Sequence, residues 1–355
     1  MNELDSPYEV FVTTDDQMKK FIESSRLEHT LKAIKAAFNL ETLDEMSVLT
    51  GGGSTAKMFK FKVDGQYYVL RLMGLDQPIE ERRIQVECAQ YGTKLGLAPH
   101  CHYTNAEDGV IIMDCVNQLP LPKDVVLQSM PELLTKLHYS EKISKPFCST
   151  FFYMNDLIAK MIERTPSQPI INYYKAIQEI MLILDHHKQL ASCHNDLNSE
   201  NVLYDGKQIY LIDFEAAGLE DPYFDLATVC QQNCFDPQEE LVFLENYLQR
   251  EPTPVEVSKL ALMKQVSYCY HALHFFEHAY NANIMEFHDN VPTFKQWYEG
   301  RKEGKYSYDT PYDWMLYAMV VYNQSIKDMA TPAFIKAKSV LNVSSSNVDN
   351  SVKKK

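Results

Sequence analysis

Between Met46 and Gly74 apolar and polar residues alternate with a period of two. The segment MSVLTGGGSTAKMFKFKVDGQYYVLRLMG therefore predicts strand, glycine turn, strand, an Asp64-Gly65 hairpin and a third strand. Ahead of it, residues 16–39 space their apolar side chains at helical intervals around a turn-like Glu23-Ser24-Ser25 break, which predicts one or two helices. IEERRIQVECAQYGTKLG reads as a helix closed by Gly96, and Ala106 to Cys115 as a second hairpin through Asp108-Gly109 that ends in the apolar run Val110 to Met113.

After the loop NQLPLPKD the period changes from two to that of long helices, predicted over Leu127–Leu137, Phe151–Ile162, Tyr173–Leu190, Glu239–Gln249, Val255–Asn281 and Trp314–Ser325. The pattern is α+β: a helical extension over 1–45, a small antiparallel-sheet lobe over 46–116 and a larger, mainly helical lobe over 117–340. The polar end, 341–355, is expected to be disordered. Neither a leader-like opening nor a run of apolar residues long enough to span a membrane is visible, so the reading is a cytoplasmic chain.

Composition narrows the function. Of 355 residues 45% are hydrophobic, enough for a large core, and the net charge of −14 disfavours nucleic acid while suiting a cationic or metal-chelated ligand. The eight cysteines fall mostly in apolar-patterned segments and show no framework spacing, as expected of free thiols. Cys230 and Cys234 form at most half a metal site, and core thiols of a helix are the favoured reading.

Against this background CHNDLNSENVLYDGKQIYLIDFE, residues 193–215, is crowded with charge. NVLY, Asp205-Gly206 and KQIYLI predict a tight hairpin, and its closure brings Asn201 and Asp213 to the same open end. Neighbouring strands lie about 5 Å apart, so an amide oxygen and a carboxylate there can share one Mg²⁺, which takes its other ligands from water and phosphate. Asp196 stands five residues before Asn201. An acid, four residues, an asparagine and then Asp-Phe is the phosphoryl-transfer spacing of protein-kinase-like folds, in which the first acid accepts the proton of the attacking hydroxyl. His194 is expected to buttress this loop, with a direct proton-transfer role as the lesser possibility. Any one of these residues alone would be a turn former or a strand cap.

The first lobe supplies matching parts in order. Gly52, Gly53, Ser54 and Thr55 lie in a turn whose backbone N–H groups can approach phosphate oxygens. Arg71 ends an apolar strand and Glu87 falls in the following helix, so an Arg71–Glu87 ion pair is expected, with Arg71 also meeting nucleotide phosphate.

At these residues the chain resembles the choline/ethanolamine kinase and aminoglycoside phosphotransferase superfamily. CHND, NVL, LIDFEAAG, DPYFDLA and YVLRLMG look most like bacterial choline kinases. The resemblance, which runs from about Leu49 to Ala227, implies a bilobal protein-kinase-like fold with ATP as co-substrate and Mg²⁺ as cofactor. It implies Asp196 as catalytic base, Asn201 and Asp213 as metal ligands, Glu215 beside metal or acceptor, and backbone groups of Asp114 and Val116 on adenine. Asp225 reads as a helix N-cap; the resemblance adds a role in bracing the catalytic loop. Two departures stand out: Ala56 follows Thr55 where relatives often carry asparagine, and the late helix SYCYHALHFFEHAY has none of the tryptophans that box a quaternary ammonium in such kinases.

The acceptor is the least determined part. Tyr268, His271 and Phe275 share a helix face that suits either core packing or a cation-receiving wall, and Trp297 and Trp314 are alternative aromatic donors. His271, His274 and His278 also share a face, without a second ligand segment for zinc. The leading reading is a kinase for the hydroxyl of a small amine or amino alcohol, choline first. Phosphorylation of an aminoglycoside, another metabolite or a protein is the second reading, and a catalytically silent binding module of the same shape is the third. The sequence leaves the oligomeric state open.

Overall fold

The alternating segments pair as one antiparallel sheet in the computed structural model, which describes residues 11–13, 18, 21–40, 43–49, 56–141, 150–164, 167–284 and 290–352. Its strands are β1 (Phe11–Thr13), β2 (Leu43–Leu49), β3 (Lys57–Val63), β4 (Gln66–Leu72), β5 (Cys101–Asn105) and β6 (Val110–Asp114), in the order β1-β2-β3-β4-β6-β5. The β3–β4 turn is closed by Asp64 and Gly65, both at positive φ (49° and 81°), in the tight geometry that Asp-Gly favours. Helix α1 (Ser24–Phe38) lays Ala33 and Ile34 against Phe59, Phe61, Leu70 and Ile112 of the sheet, and Arg26 donates to the Gly109 carbonyl at 3.0 Å. Met18 and Ile22, with Ala33 and Ile34 of α1, thus belong to the core of the sheet.

Two compact units divide the chain, and the first does not end where the pattern of periods changes. It comprises Met1–Pro122 together with Ser199–Ala217. The hairpin β8 (Val202–Tyr204) and β9 (Ile209–Leu211) is thereby joined to the sheet-bearing unit, through hydrogen bonds from Leu119 N–H to the Tyr204 carbonyl and from Leu211 N–H to the Leu97 carbonyl, both 2.7 Å. Helix α2 (Ile79–Lys94) presents Gly92 to the 3₁₀ turn Phe214–Ala216 that follows β9. A Cβ at residue 92 would stand 2.8 Å from the Phe214 ring and 2.8 Å from the Ala98 methyl, so the contact requires glycine.

The second unit comprises Lys123–Asn198 and Gly218–Lys355. It contains α3 (Lys123–His138), α4 (Thr150–Arg164), α5 (Gln168–Asp185), α6 (Pro222–Gln232), α7 (Pro237–Leu248), α8 (Pro254–Asn281), α9 (Phe294–Lys302), α10 (Pro311–Met329) and α11 (Pro332–Val352), with a two-stranded ribbon of β7 (Ala191–Cys193) and β10 (Gly218–Glu220). Helix α8 is its axis. A capping box between Thr253 and Glu256, followed by Pro254, starts it. Buried polar bonds, Ser267 to Gln231 and Ser325 to Gln265 at 2.8 Å each, fix its register against α6 and α10.

One expectation is corrected here. Helix α6 starts one turn earlier than the sequence suggested, because Asp221, not Asp225, is the N-cap: its carboxylate accepts the Tyr223 N–H at 3.0 Å. Helix α11 runs to Val352, and neither proline nor glycine follows Pro332 to interrupt it. Among the described residues no helix is long and apolar enough to cross a membrane.

Gly92→Ala is expected to destabilise the protein by about 1–3 kcal/mol through overpacking against Phe214, read as a lower urea midpoint with an unchanged slope. An alanine variant as stable as the parent would show that the helix and the turn can separate without cost.

Candidate active site

In the first unit the hairpin register sets the chemistry. Val202 pairs with Leu211 and Tyr204 with Ile209, while Asp205 accepts the Lys207 and Gln208 N–H groups at 2.8 Å to lock the turn. One step beyond the last pair, Ile212 N–H donates to the Asn201 carbonyl at 3.0 Å. Asn201, 7% exposed, and Asp213 consequently leave the ribbon at the same end, as its sequence predicted. Asp213 is held in the left-handed region (φ 62°, ψ 55°), a conformation open to aspartate and uncommon for most residues.

Arg71, on central strand β4, points its guanidinium at this end. Its Nη1 is 3.6 Å from Asp213 Oδ1 and its Nη2 3.6 Å from Glu215 Oε2. One cation faces two carboxylates, so these three groups retain a net negative charge. Asp213 Oδ1 is buried and has no hydrogen-bond partner among the described residues. A buried, unsatisfied carboxylate oxygen of this kind calls for a cation, which fits the hard oxygen set expected for Mg²⁺. The expected Arg71–Glu87 pair is not what forms: Glu87 stands exposed on α2, and Arg71 reaches Asp213 and Glu215 instead. Gly52, Gly53, Ser54 and Thr55 lie outside the described residues. Asp114 donates its N–H to the His100 carbonyl at 2.9 Å, and Val116 follows just beyond β6.

In the second unit one carboxylate organises the loop after β7. Asp225, fully buried, accepts the His194 N–H on Oδ2 and the Asn195 N–H on Oδ1, each at 2.8 Å, while His138 Nε2 lies 3.0 Å from Oδ2. His138 Nδ1 is in turn 2.9 Å from the Tyr247 hydroxyl. Burial alone would raise the Asp225 pKa; the His138 bond and charge, then His194, more than offset it and hold the carboxyl below its ordinary value. Asn195 takes φ 64°, turning the chain so that Asp196 follows. The Asn198 amide donates to Asp196 Oδ1 at 3.0 Å, and Asp196 N–H donates to His194 Nδ1 at 3.3 Å.

His194 is completely buried, and its Nδ1 accepts from the backbone. His138 and Tyr247 escaped the sequence reading because nothing local marks them; only the fold brings them to Asp225.

The aromatic candidates separate sharply. Tyr268 is buried against Phe294, with ring centroids 5.4 Å apart, and Trp297 is 1% exposed, packed on Tyr317 at 4.4 Å. The Arg301 guanidinium already lies over Tyr308 at 4.1 Å and over Trp297 at 5.5 Å. These residues therefore belong to the core, and the protein's own cation occupies the tryptophan's neighbourhood. Phe275 packs on Tyr317 at 4.7 Å, and Trp314 donates its Nε1 proton to the Tyr308 carbonyl at 2.7 Å. His271 is near enough to feel Asp196: burial lowers its pKa, while its Ser267 carbonyl bond and then Asp196 oppose that shift. Tyr270, missed by the helical-face argument, has its pKa raised by burial first and then by Asp196 and Tyr153. Its ring meets Phe224 at 5.5 Å and Tyr153 at 6.2 Å. The DPYF segment that carries Phe224 was the available signal for it.

Comparison with known proteins bears on family and fold. Residues 48–257 match the model of the phosphotransferase enzyme family. Protein LicA of Haemophilus influenzae is 22% identical over 206 residues, covering 55% of this chain and 61% of that protein. The chain spans between half and about three fifths of the length of the first curated relatives it matches. Among solved structures, a choline/ethanolamine kinase family protein from Mesorhizobium loti aligns with a TM-score of 0.66 at 19% identity, over 90% of this chain and 99% of its own. The streptomycin–ATP–APH(2″)-IIa ternary complex aligns with a TM-score of 0.54 at 17% identity, over 73% and 92%. The protein-kinase-like fold expected from the sequence is thus the fold observed.

Because the folded Asp225 pKa is depressed, its stabilisation is present above its ordinary value of 3.8 and is lost as pH falls through the lower folded value. His138→Ala is expected to cost about 1–3 kcal/mol at neutral pH and to move the acid-unfolding midpoint upward. Urea titrations at neutral and acid pH check both; an unmoved acid limb would show that His138 does not hold the Asp225 charge.

Proposed function

This chain belongs to the phosphotransferase enzyme family, and on that premise we propose that it transfers the γ-phosphoryl group of ATP to the hydroxyl of a small cationic amine or amino alcohol, choline being the first candidate. The observation that carries the reading is the anchoring of Asp196. Its carboxylate is tethered by the Asn198 amide, and the backbone just before it is clamped by buried Asp225.

Asp196 is the base that orients the acceptor hydroxyl and takes its proton as the new O–P bond forms. Asn201 and Asp213 would hold Mg²⁺, which would supply charge neutralisation for the transferred phosphoryl group. Arg71 adds a fixed cation to the same end of the hairpin, between Asp213 and Glu215. The Asp114 carbonyl and the Val116 N–H serve the adenine. Most of the acceleration comes from positioning and fixed charge rather than from covalent chemistry.

The acceptor assignment rests on chemistry at α8. The Asp196 charge is felt by Tyr270 and His271, and the ring of Tyr153 lies beside Tyr270, an aromatic, weakly polar surface that suits a cation. The net charge of −14 favours a cationic acceptor, and the Mesorhizobium loti neighbour is a choline/ethanolamine kinase family protein. An aminoglycoside or other sugar-like metabolite is the second reading. It is favoured by the absence of an open tryptophan cage, since Arg301 already lies over Trp297, and by the neighbour whose complex holds streptomycin and ATP.

ADP release measured over choline, ethanolamine, aminoglycosides and sugars is expected to show Mg²⁺-dependent turnover with a small amine. Asp196→Ala should lower kcat by about 10²–10⁴-fold while nucleotide affinity is retained, and Asp213→Ala should abolish Mg²⁺-dependent nucleotide binding. Equal turnover by Asp196→Ala and parent would remove Asp196 as the base; no turnover with any acceptor would leave the silent binding module.

A further inference from the structure

Helix α8 carries a second arrangement of ligating atoms that the phosphotransfer chemistry does not use. His274 and His278, one turn apart and both at the surface, place their Nε2 atoms 3.1 Å from each other, with ring centroids 4.4 Å apart. Bonds of about 2.0–2.1 Å from one ion to two imidazoles, at tetrahedral or octahedral angles, separate the nitrogens by about 2.9–3.4 Å. The pair is therefore already spaced as two ligands of one ion, on a rigid helix, and little ordering is needed on binding.

We infer that His274 and His278 form a two-histidine site for a late first-row divalent cation of the Cu²⁺, Ni²⁺ or Zn²⁺ class. Imidazole suits these ions, whereas Mg²⁺ prefers oxygen and keeps its water. The site is thus distinct in chemistry from the Asn201 and Asp213 set, and solvent supplies the remaining ligands. The two rings share one proton in their Nε2···Nε2 hydrogen bond. For both nitrogens to coordinate, the donating ring passes that proton to its own Nδ1, so the rings stay neutral and no net proton is lost. Trp314 lies beside the pair, its ring centroid 5.7 Å from that of His278, and reports on an ion bound there.

The test uses the full chain without added histidines, stripped of metal. Cu²⁺ titrated against tryptophan fluorescence is expected to quench it at one equivalent, and Trp314→Phe to remove the metal-dependent part of the signal. Zn²⁺ calorimetry should give the same stoichiometry, and Mg²⁺ no heat at this site. Loss of even an outer partner of a metal-bound histidine weakens affinity by about tenfold or more, so His274→Gln and His278→Gln should each weaken Cu²⁺ and Zn²⁺ at least that much. The parent should also gain thermal stability with Zn²⁺, and the double variant should not. Cu²⁺ and Zn²⁺ binding by the folded double variant at the parent's affinity would overturn the site and place the ion on other histidines, as would a titration that leaves the fluorescence of the parent unchanged.

Discussion

A single buried carboxylate organises the loop of the second unit that leads to Asp196. Asp225 has no contact with solvent and is surrounded by donors: two successive backbone N–H groups of the loop and the His138 imidazole. An isolated charge in such a place would cost several kcal/mol. Three hydrogen bonds offset that cost, and the same bonds fix the peptide planes immediately before Asp196. Stability and loop order are one feature here, because the donors that make the buried charge tolerable are backbone groups of the loop itself.

The first unit meets the complementary demand with backbone register. A two-stranded ribbon, pinned by Asp205 and docked through Leu119 and Leu97, sets Asn201 and Asp213 at its open end. Gly92 then allows Phe214 to sit against α2, which fixes the turn that carries Asp213 and Glu215. The price of placing acids here is an unsatisfied Asp213 oxygen facing Arg71 across 3.6 Å. One arginine against two carboxylates leaves the end of the hairpin with residual negative charge.

Helix α8 shows how one element divides its labour by face. Tyr268 and its neighbours pack in the core, Tyr270 and His271 respond to the Asp196 charge, and His274 with His278 meets solvent. Aromatic richness alone therefore did not indicate a ligand cage. Trp297 and Tyr308 lie beneath an internal arginine, and the absence of tryptophan from the helix had already pointed away from a conventional one.

What the sequence by itself determined was whatever depends on neighbours along the chain. Period-two alternation set the strands, Asp-Gly pairs set the turns, and the spacing of Asp196, Asn201 and Asp213 followed from a hairpin that those rules already required. What only the tertiary structure decided was set by residues distant in sequence. Ser199–Ala217 joined the first unit through bonds to Leu97 and Leu119, and Arg71 faced Asp213 and Glu215 instead of Glu87. His138 and Tyr247 reached Asp225 from helices far away in the chain, and burial rather than residue type separated core tyrosines from those near the site. Local propensity acts over a few residues, whereas charge pairing and burial depend on which surfaces meet, and no pattern along the chain encodes that directly.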